Sequence, residues 1–278
     1  MSRSVSGENS YRHSGNYSAA GLLVAVLVAG ALAAALSPIY ALALYYIPLA
    51  FINCFVTFAY GLAVGSGTGY GFRLGKVRST GLAIIAALVI GVIADYFGWV
   101  AWLLVAKHRF LWQPSDLISV FRILAEKGSW SIGGSIPTGA LLYVIWAAEL
   151  LAIVVFSALA AHQSLDQQVF CESCHDWLPK PKTIGPLTPI QAGQTAHVSA
   201  DLIKSLQPIT NTPVATFVEL RSCNKCQRFS VYTVTLTTTS IGKDGKRSTQ
   251  RAVLVRNAHA SADLSQALAI KAAAPSLS

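Results

Sequence analysis

Four long apolar segments constrain this chain more than any other feature of its sequence. They run from about residue 19 to 38, 47 to 66, 81 to 106 and 138 to 161. A run of about 18 or more apolar residues is long enough to cross the hydrocarbon core of a bilayer as an α-helix. Charged residues make up only 12% of the chain, about half their share in ordinary soluble domains. The sequence therefore predicts an α-helical membrane protein with four transmembrane helices.

These segments divide the chain into three parts. Residues 1–18 are polar and rich in Ser, Asn and Gly, which is typical of a disordered tail. Residues 19–161 form the predicted four-helix transmembrane domain. Residues 162–278 have the composition of a soluble domain, predicted to be β-rich. The Ala-rich stretch before Ser37 also fits a signal-peptidase site, but a second apolar run follows at once, which favours an uncleaved first span.

Shorter features lie between the apolar segments. The glycine-rich run 65–71 predicts a flexible exit from the second span or a close helix contact. Residues 114–128 predict a short helix, either on the membrane surface with Trp112 and Trp130 as interface anchors or packed in a loop. Tyrosines and prolines after the first run predict a turn at the bilayer surface. They are Pro38, Tyr40, Tyr45, Tyr46 and Pro48.

The distribution of Lys and Arg predicts the orientation of the chain. Four spans place both ends of the chain on one side of the membrane. Because positive residues concentrate in cytoplasmic loops, the side with more of them is predicted to be cytoplasmic. The protein is therefore expected to be multi-pass, in the inner membrane if its source is bacterial, with cytoplasmic N- and C-termini. The majority side carries Arg3, Arg12, Arg73, Lys76, Arg78, Lys180 and Lys182, and the other carries Lys107, Arg109, Arg122 and Lys127.

Within the C-terminal part, β-branched and aromatic residues indicate strands, because such side chains suit a pleated, half-buried surface. A Gly-Lys-Asp-Gly sequence at 242–245 predicts a turn between two of the strands. The predicted strands are Thr216–Leu220, Phe229–Ile241 and Ala252–Arg256, and the predicted helices lie around Ala200–Leu206 and Ala260–Ala272.

Two Cys-x-x-Cys pairs carry the strongest chemical signal in the sequence. A two-residue spacer lets both sulfurs of a pair reach one ion, so two pairs can complete a tetrahedral thiolate shell around Zn²⁺. Four thiolates leave no position for water, which indicates a structural rather than a catalytic zinc. The fifth cysteine, Cys54, lies in an apolar run and is expected to pack as a small hydrophobe. The pairs are Cys171 with Cys174 and Cys223 with Cys226.

The region Phe170–Val234 resembles the zinc-ribbon class, in which two Cys-x-x-Cys knuckles on β-hairpins hold one ion. Two features depart from the pattern of that class. Its knuckles commonly place glycine after the second cysteine, where this chain has His175 and Gln227. The pairs are also 48 residues apart, whereas about 15–20 is usual. In general organisation the chain is similar to bacterial polytopic membrane proteins of unassigned function.

Two other interpretations of the cysteines stay open. The four thiols could form disulfides or a redox centre. The sequence from Cys171 to His175 also matches the Cys-x-x-Cys-His pattern of covalent c-type haem. Haem attachment belongs to the oxidising side of a membrane, and it would leave the second cysteine pair without a role.

Two carboxylic acids lie within the apolar segments, Asp95 in the third and Glu149 in the fourth. A charge at bilayer depth costs at least about 2.5–3.5 kcal/mol, so such groups usually meet a partner or a wet cavity. We expect these carboxyl groups to bond each other, Asn53, or Tyr and Trp groups. The alternatives are a helix–helix hydrogen bond and a path for protons or cations.

A basic cluster in the C-terminal part marks a candidate interaction surface. A solvated hairpin is the simplest interpretation, and anionic lipid is the next because the domain is tethered to a membrane. An acidic protein partner is a third, while nucleic acid is not expected. The residues are Lys243, Lys246, Arg247, Arg251 and Arg256.

These features predict two classes of function. The first is an interaction protein that presents a zinc-held domain to the cytosol for protein or membrane-surface contact. The second is a small transporter or proton-coupled component that uses the intramembrane carboxylates, with a homo-oligomer as one way to form a conduit. A membrane redox protein ranks third. The soluble part has no nucleophile elbow, Walker loop, His-Glu-x-x-His motif or paired carboxylates, which argues against an enzyme.

Overall fold

The structure is a computed structural model that describes residues 10–47, 49–128, 135–191, 198–210, 212–241, 244 and 246–273. The chain forms two compact units. The helical unit comprises His13–Gln168. The β unit comprises the chain from Val169 onward together with residues 10–12.

Four helices of the helical unit are long and apolar enough to cross a membrane. The four form a bundle in which α1 packs on α2, α2 on α5, α5 on α3, and α3 on α1. Large apolar side chains such as Leu27, Phe51 and Leu151 remain exposed on the outside, whereas the buried face of α1 consists mainly of alanines. This distribution suits helices surrounded by lipid. The helices are α1 (Ala19–Tyr46), α2 (Ala50–Leu74), α3 (Thr80–Lys107) and α5 (Ala140–Asp166).

Helix α1 continues past the point where the sequence predicts a surface turn. Pro38 lies inside the helix, and Tyr40 is 5% exposed within the bundle rather than at the membrane surface. Proline is tolerated in membrane helices because neighbouring groups satisfy the backbone around it. The chain leaves the helix only after Tyr46. The prediction of a turn is therefore wrong for Pro38 and Tyr40, and Pro48 lies outside the described residues.

The glycine-rich run is helical, and its glycines let α2 approach two neighbours. A Cβ at Gly65 would lie 2.1 Å from the carbonyl oxygen of Ser157 in α5. A Cβ at Gly71 would lie 2.5 Å from the carbonyl oxygen of Ala25 in α1. Small residues permit such backbone contacts in membrane bundles. Of the two interpretations of this run, the structure favours the close helix contact over the flexible exit.

The predicted short helix is α4 (Pro114–Lys127), and it packs by one apolar face. Leu117 and Leu124 are buried, and the ring of Phe121 lies 4.6 Å from that of Trp99 in α3. Proline at the first position suits a helix start, where its missing N–H costs nothing. Trp112 is exposed, and Trp130 lies outside the described residues.

The β unit contains a four-stranded antiparallel sheet in the order β3–β4–β5–β6. A separate two-stranded hairpin precedes it. The sheet confirms the strands predicted in the C-terminal part, but β3 was not predicted, because a proline in a short pattern argues against a strand. The strands are β1 (Phe170–Cys171), β2 (Asp176–Trp177), β3 (Lys182–Leu187), β4 (Val214–Ser222), β5 (Ser230–Ile241) and β6 (Arg247–His259).

Two short helices, α6 (Ala200–Ser205) and α7 (Ala262–Ala273), complete the core of the β unit. Ile203 of α6 and Leu264 and Leu268 of α7 are buried in one cluster with Val218 and Val234 of the sheet. The Lys271 ammonium donates to carbonyl oxygens at the end of α6, 2.6 Å from that of Lys204 and 2.5 Å from that of Leu206. A cation at this position complements the negative end of the helix.

Residues 10–18 have defined places, although the sequence predicts a disordered tail. Ser10 pairs with Ala258 of β6, and the Tyr11 N–H donates to the carbonyl oxygen of Asn257 at 2.8 Å. Ser18 caps α1 by accepting from the Gly21 N–H at 3.0 Å. The exposed edge of β6 supplies hydrogen-bond partners that composition alone does not reveal.

Candidate metal centre

Each cysteine pair lies at the end of a β-hairpin. The first pair is carried by β1 and β2, where Cys171 pairs with Asp176. The second occupies the connection from β4 to β5, where the Cys223 N–H donates to the carbonyl oxygen of Phe229 at 2.9 Å. The hairpins thus fix the backbone around both pairs.

The residue after the second cysteine has left-handed backbone conformation in both hairpins. His175 has a φ of 49° and Gln227 a φ of 55°. Glycine adopts this conformation most easily, and it is the residue commonly found there in the knuckles that the sequence resembles. The backbone therefore keeps the glycine-type turn without glycine. The His175 side chain is exposed, and the metal-binding group consists of the four cysteines alone.

The four cysteine sulfurs converge on one point. All four Sγ atoms lie within 4.8 Å of one another, and Cys171 Sγ is 3.8 Å from Cys226 Sγ. A tetrahedral zinc site with bonds of about 2.3 Å requires sulfurs about 3.8 Å apart. The cysteines are free thiols, and their separation is far longer than the roughly 2.05 Å of a disulfide bond. The arrangement therefore fits a single metal ion and does not form disulfides.

Apolar side chains surround the cysteine cluster. Val169, Leu178 and Val231 are buried against it. Tyr11 packs on the same group, with its ring 6.1 Å from that of Phe229. The Tyr11 hydroxyl accepts a hydrogen bond from the Phe170 N–H at 3.1 Å, next to the first cysteine. Sequence reasoning missed Tyr11, because nothing in its polar surroundings links it to a site more than 150 residues away.

Backbone N–H groups and burial distinguish three of the four thiols. The backbone N–H groups of Arg228 and Phe229 lower the pKa of Cys226 to about 6. Burial, followed by the crowding of the other thiols, raises the pKa of Cys174 to about 12. Burial also raises the pKa of Cys171. One thiolate forms readily, whereas further negative charge in the cluster needs a compensating cation.

An ion pair links the two hairpins beside the cluster. Lys225 Nζ lies 2.7 Å from Asp176 Oδ2, and this carboxylate raises the pKa of Lys225. Lys225 occupies a spacer position of the second pair, while Asp176 follows the first pair in β2. Four thiolates around a divalent cation carry a net charge of −2, so a neighbouring ammonium group favours the bound state.

The intramembrane acids belong to a polar cluster in the bundle. The Tyr40 hydroxyl donates to the Glu149 carboxylate and lies 3.0 Å from Thr57 Oγ1. Its ring stacks on that of Tyr60 at 4.2 Å. The Tyr60 hydroxyl donates to the carbonyl oxygen of Ala94, the residue before Asp95 in α3, at 2.9 Å. The predicted Tyr partner is therefore present for Glu149. Each of the four long helices contributes a group to this cluster.

Two other polar residues of the bundle behave differently from the expectation. Asn53 has a buried Oδ1 with no hydrogen-bond partner among the described residues. Cys54 is exposed on α2 rather than packed inside the bundle. Sequence alone could not assign these faces, because α2 is apolar nearly all round.

The basic residues of the candidate interaction surface do not form one cluster. Lys246, Arg247 and Arg251 lie together at the start of β6. Arg256 lies at the other end of that strand, where its carbonyl oxygen accepts from the Ser10 hydroxyl at 3.0 Å. Lys243 lies outside the described residues.

Comparisons with protein-family models, with curated proteins and with solved structures give no match to this chain.

Proposed function

We propose that this protein is a multi-pass membrane protein whose C-terminal domain is held together by one structural zinc ion and serves as an interaction module. The observation that carries the proposal is the convergence of four thiols from two hairpins. A shell of four sulfurs is typical of zinc or iron, and it leaves no open position for catalysis. The two hairpins and their left-handed residues support a zinc-ribbon-like module.

The geometry argues against the alternative chemistries of the cysteines. Covalent haem would use Cys171 and Cys174 and leave Cys223 and Cys226 without a function, yet all four sulfurs meet. Free thiols also suit the reducing cytosol, the compartment that the Lys and Arg distribution favours for this domain. Residues 10–12 pack in the same unit as the C-terminal domain. This arrangement supports an even number of membrane crossings between the two.

Metal analysis of the full chain, purified in detergent under reducing conditions, tests the proposal. The expected result is one zinc per chain, little iron and no Soret absorption. Cys223→Ser should lose the metal, whereas Cys54→Ser is the matched control and should keep it, because Cys54 lies in α2. Zinc content well below one per chain in the parent protein, or equal loss in both variants, would contradict the proposal.

Side-specific labelling tests the proposed orientation. A membrane-impermeant maleimide added to sealed right-side-out vesicles should label Ser261→Cys in a Cys54→Ser background no more than Cys54→Ser alone, in which the four cysteines of the cluster are the ones left. In inverted vesicles the same reagent should label Ser261→Cys above that background. Ser261 is exposed at the start of α7 and is distant in sequence from the metal ligands. Labelling in right-side-out vesicles alone would place the domain outside the cytosol and would contradict the proposed orientation.

A second candidate function is proton-coupled transport through the bundle. The observation that favours it is the polar cluster of Tyr40, Thr57, Tyr60 and Glu149, to which α3 adds the carbonyl oxygen of Ala94 beside Asp95, so that all four long helices contribute. Purified protein in liposomes would then carry a proton flux that Glu149→Gln abolishes and that Glu126→Gln, outside the bundle core, leaves unchanged. An unchanged flux in Glu149→Gln would leave the cluster with a purely structural role.

A further inference from the structure

Strands β5 and β6 extend beyond the rest of their sheet. The ladder between β4 and β5 ends where Val214 pairs with Thr238, followed by one hydrogen bond from the Thr239 N–H to Pro213. Farther along, Ser240 pairs with Ser248 and Ile241 with Arg247. We call the described residues Thr239–Ile241, Asp244 and Lys246–Arg251 the basic arm; its last two residues, Gln250 and Arg251, lie opposite β5 residues that still pair with β4.

One face of the basic arm combines arginines with an exposed apolar side chain. Directly paired residues share a face, as do residues two apart on one strand. The pairs of Ile241 with Arg247 and of Thr237 with Arg251 therefore place both arginines and Ile241 on the same face. Ile241 is 68% exposed. An exposed isoleucine beside two arginines is a combination that a lipid interface accommodates.

The charge of the basic arm is positive. Its described residues carry Lys246, Arg247 and Arg251 against a single acid, Asp244, whose carboxylate lies 4.0 Å from the Lys246 ammonium. The described residues of the arm contain no aromatic side chain. Proteins that bind single-stranded nucleic acid rely on aromatic stacking. The combination therefore suits the phosphates of lipid headgroups better than those of nucleic acid.

The chain tethers this domain to a membrane through the end of β5 opposite the basic arm, because Val169 packs with Val231 near the start of that strand and Ile241 ends it. Ten residues of strand span about 33 Å, so the arm meets the bilayer when β5 lies along the membrane surface. Helix α5 ends at Asp166 and strand β1 begins at Phe170, so three residues separate a membrane-crossing helix from the β unit. We propose that the basic arm binds anionic lipid headgroups of the bilayer that its own chain crosses, with Ile241 at the boundary of headgroups and acyl chains. This inference rests on the proposed function, because it names the partner of the proposed interaction module.

Hydrogen exchange of the full, zinc-loaded chain in nanodiscs tests the proposal. One set of nanodiscs contains phosphatidylcholine alone, and the other contains about one third phosphatidylglycerol. The amides of residues 239–241 and 246–251 should exchange several-fold more slowly in the anionic nanodiscs, and the difference should shrink as salt is added.

Charge-matched variants separate the arm from the overall charge of the domain. The pair Arg247→Gln and Arg251→Gln should remove the lipid-dependent protection. The control pair Lys180→Gln and Lys182→Gln removes the same charge from exposed positions near β3. This control variant should retain the lipid-dependent protection of the arm. Ile241→Ser keeps every charge of the arm and should reduce the protection.

Equal exchange in the two kinds of nanodisc would overturn the inference, as would protection that persists in the Arg247 and Arg251 variant. Protection by single-stranded DNA, an acidic peptide or added vesicles, with none from the nanodisc lipid, would also overturn it. Zinc is measured on the same samples. A zinc-loaded protein without lipid dependence refutes only the arm, whereas a parent chain without zinc refutes the proposed function.

Discussion

Replacing Gly65 by alanine tests whether direct backbone contact between α2 and α5 stabilises the bundle. The added Cβ would lie 2.1 Å from the carbonyl oxygen of Ser157 and 2.7 Å from its Cα. Real Cβ atoms essentially never approach a neighbour within 3.0 Å. Because the obstructing atoms belong to the backbone of a helix, the two helices must move apart by about 1 Å at this point.

The expected magnitude follows from two opposing effects. Overpacking of a close contact costs about 1–3 kcal/mol, while alanine is better than glycine in a helix interior by about 1 kcal/mol. Gly30→Ala in α1 is the matched control, because its Cβ would meet nothing within 4 Å. We therefore expect the free energy of unfolding of Gly65→Ala to be about 1–3 kcal/mol below that of Gly30→Ala.

Reversible unfolding in mixed micelles, followed by far-UV circular dichroism as the denaturing detergent increases, measures this difference. Both variants carry the same gain in helix propensity, so their difference isolates the contact. Equal stability of Gly65→Ala and Gly30→Ala would refute the close approach of α2 and α5. A loss in both would show that glycine acts through chain flexibility instead.

Three further predictions concern the β unit. Gln227→Gly should raise the free energy of unfolding by about 1 kcal/mol, because glycine relieves the strain of the left-handed backbone at this position. Asn224 has no positive φ, so the control Asn224→Gly should not raise the free energy of unfolding. Chemical denaturation measures both values. Lys271→Met should lower the free energy of unfolding by about 1–3 kcal/mol, because it leaves carbonyl oxygens of α6 without their charged donor. Thermal unfolding of the purified chain measures this loss, and an unchanged midpoint would contradict it. Zinc binding at pH 7 should release at least two protons, because the raised pKa values keep the Cys171 and Cys174 thiols protonated before metal binds. The zinc affinity should therefore fall as the pH falls, and more steeply below pH 6, where Cys226 also becomes protonated. Calorimetry in buffers of different ionisation enthalpy counts the protons released on zinc binding. Release of no protons would contradict the prediction.

The features that sequence predicts well are the ones set by local chemistry. Each apolar run is long enough to require a helix whatever its neighbours are, so the four long helices follow directly from composition. The spacing within each cysteine pair dictates a chelating turn, and the four sulfurs do meet. The alternating Thr and Val of β5 likewise specify a strand without reference to its partners.

The features that sequence misses depend on partners far along the chain. Tyr40 looks like an interfacial residue until the partly buried Glu149 of another helix is found within hydrogen-bonding distance of it. The glycines of α2 allow either a flexible exit or a close helix contact, and only the backbones of α1 and α5 found against them decide between the two. Tyr11 lies in a stretch whose composition indicates disorder, and only the free edge of β6 gives it a place. In each case the residue that determines the local structure lies far away in the sequence.

The contact of Tyr11 with the cysteine cluster has a consequence for biogenesis. Tyr11 leaves the ribosome long before Phe229 and His259, the residues on which its ring packs. Residues 10–12 therefore lack their packing partners throughout the synthesis of the four long helices. Assembly of the β unit then waits for translation to reach β6, so the order of synthesis makes the convergence of the four cysteines and the docking of this segment late events.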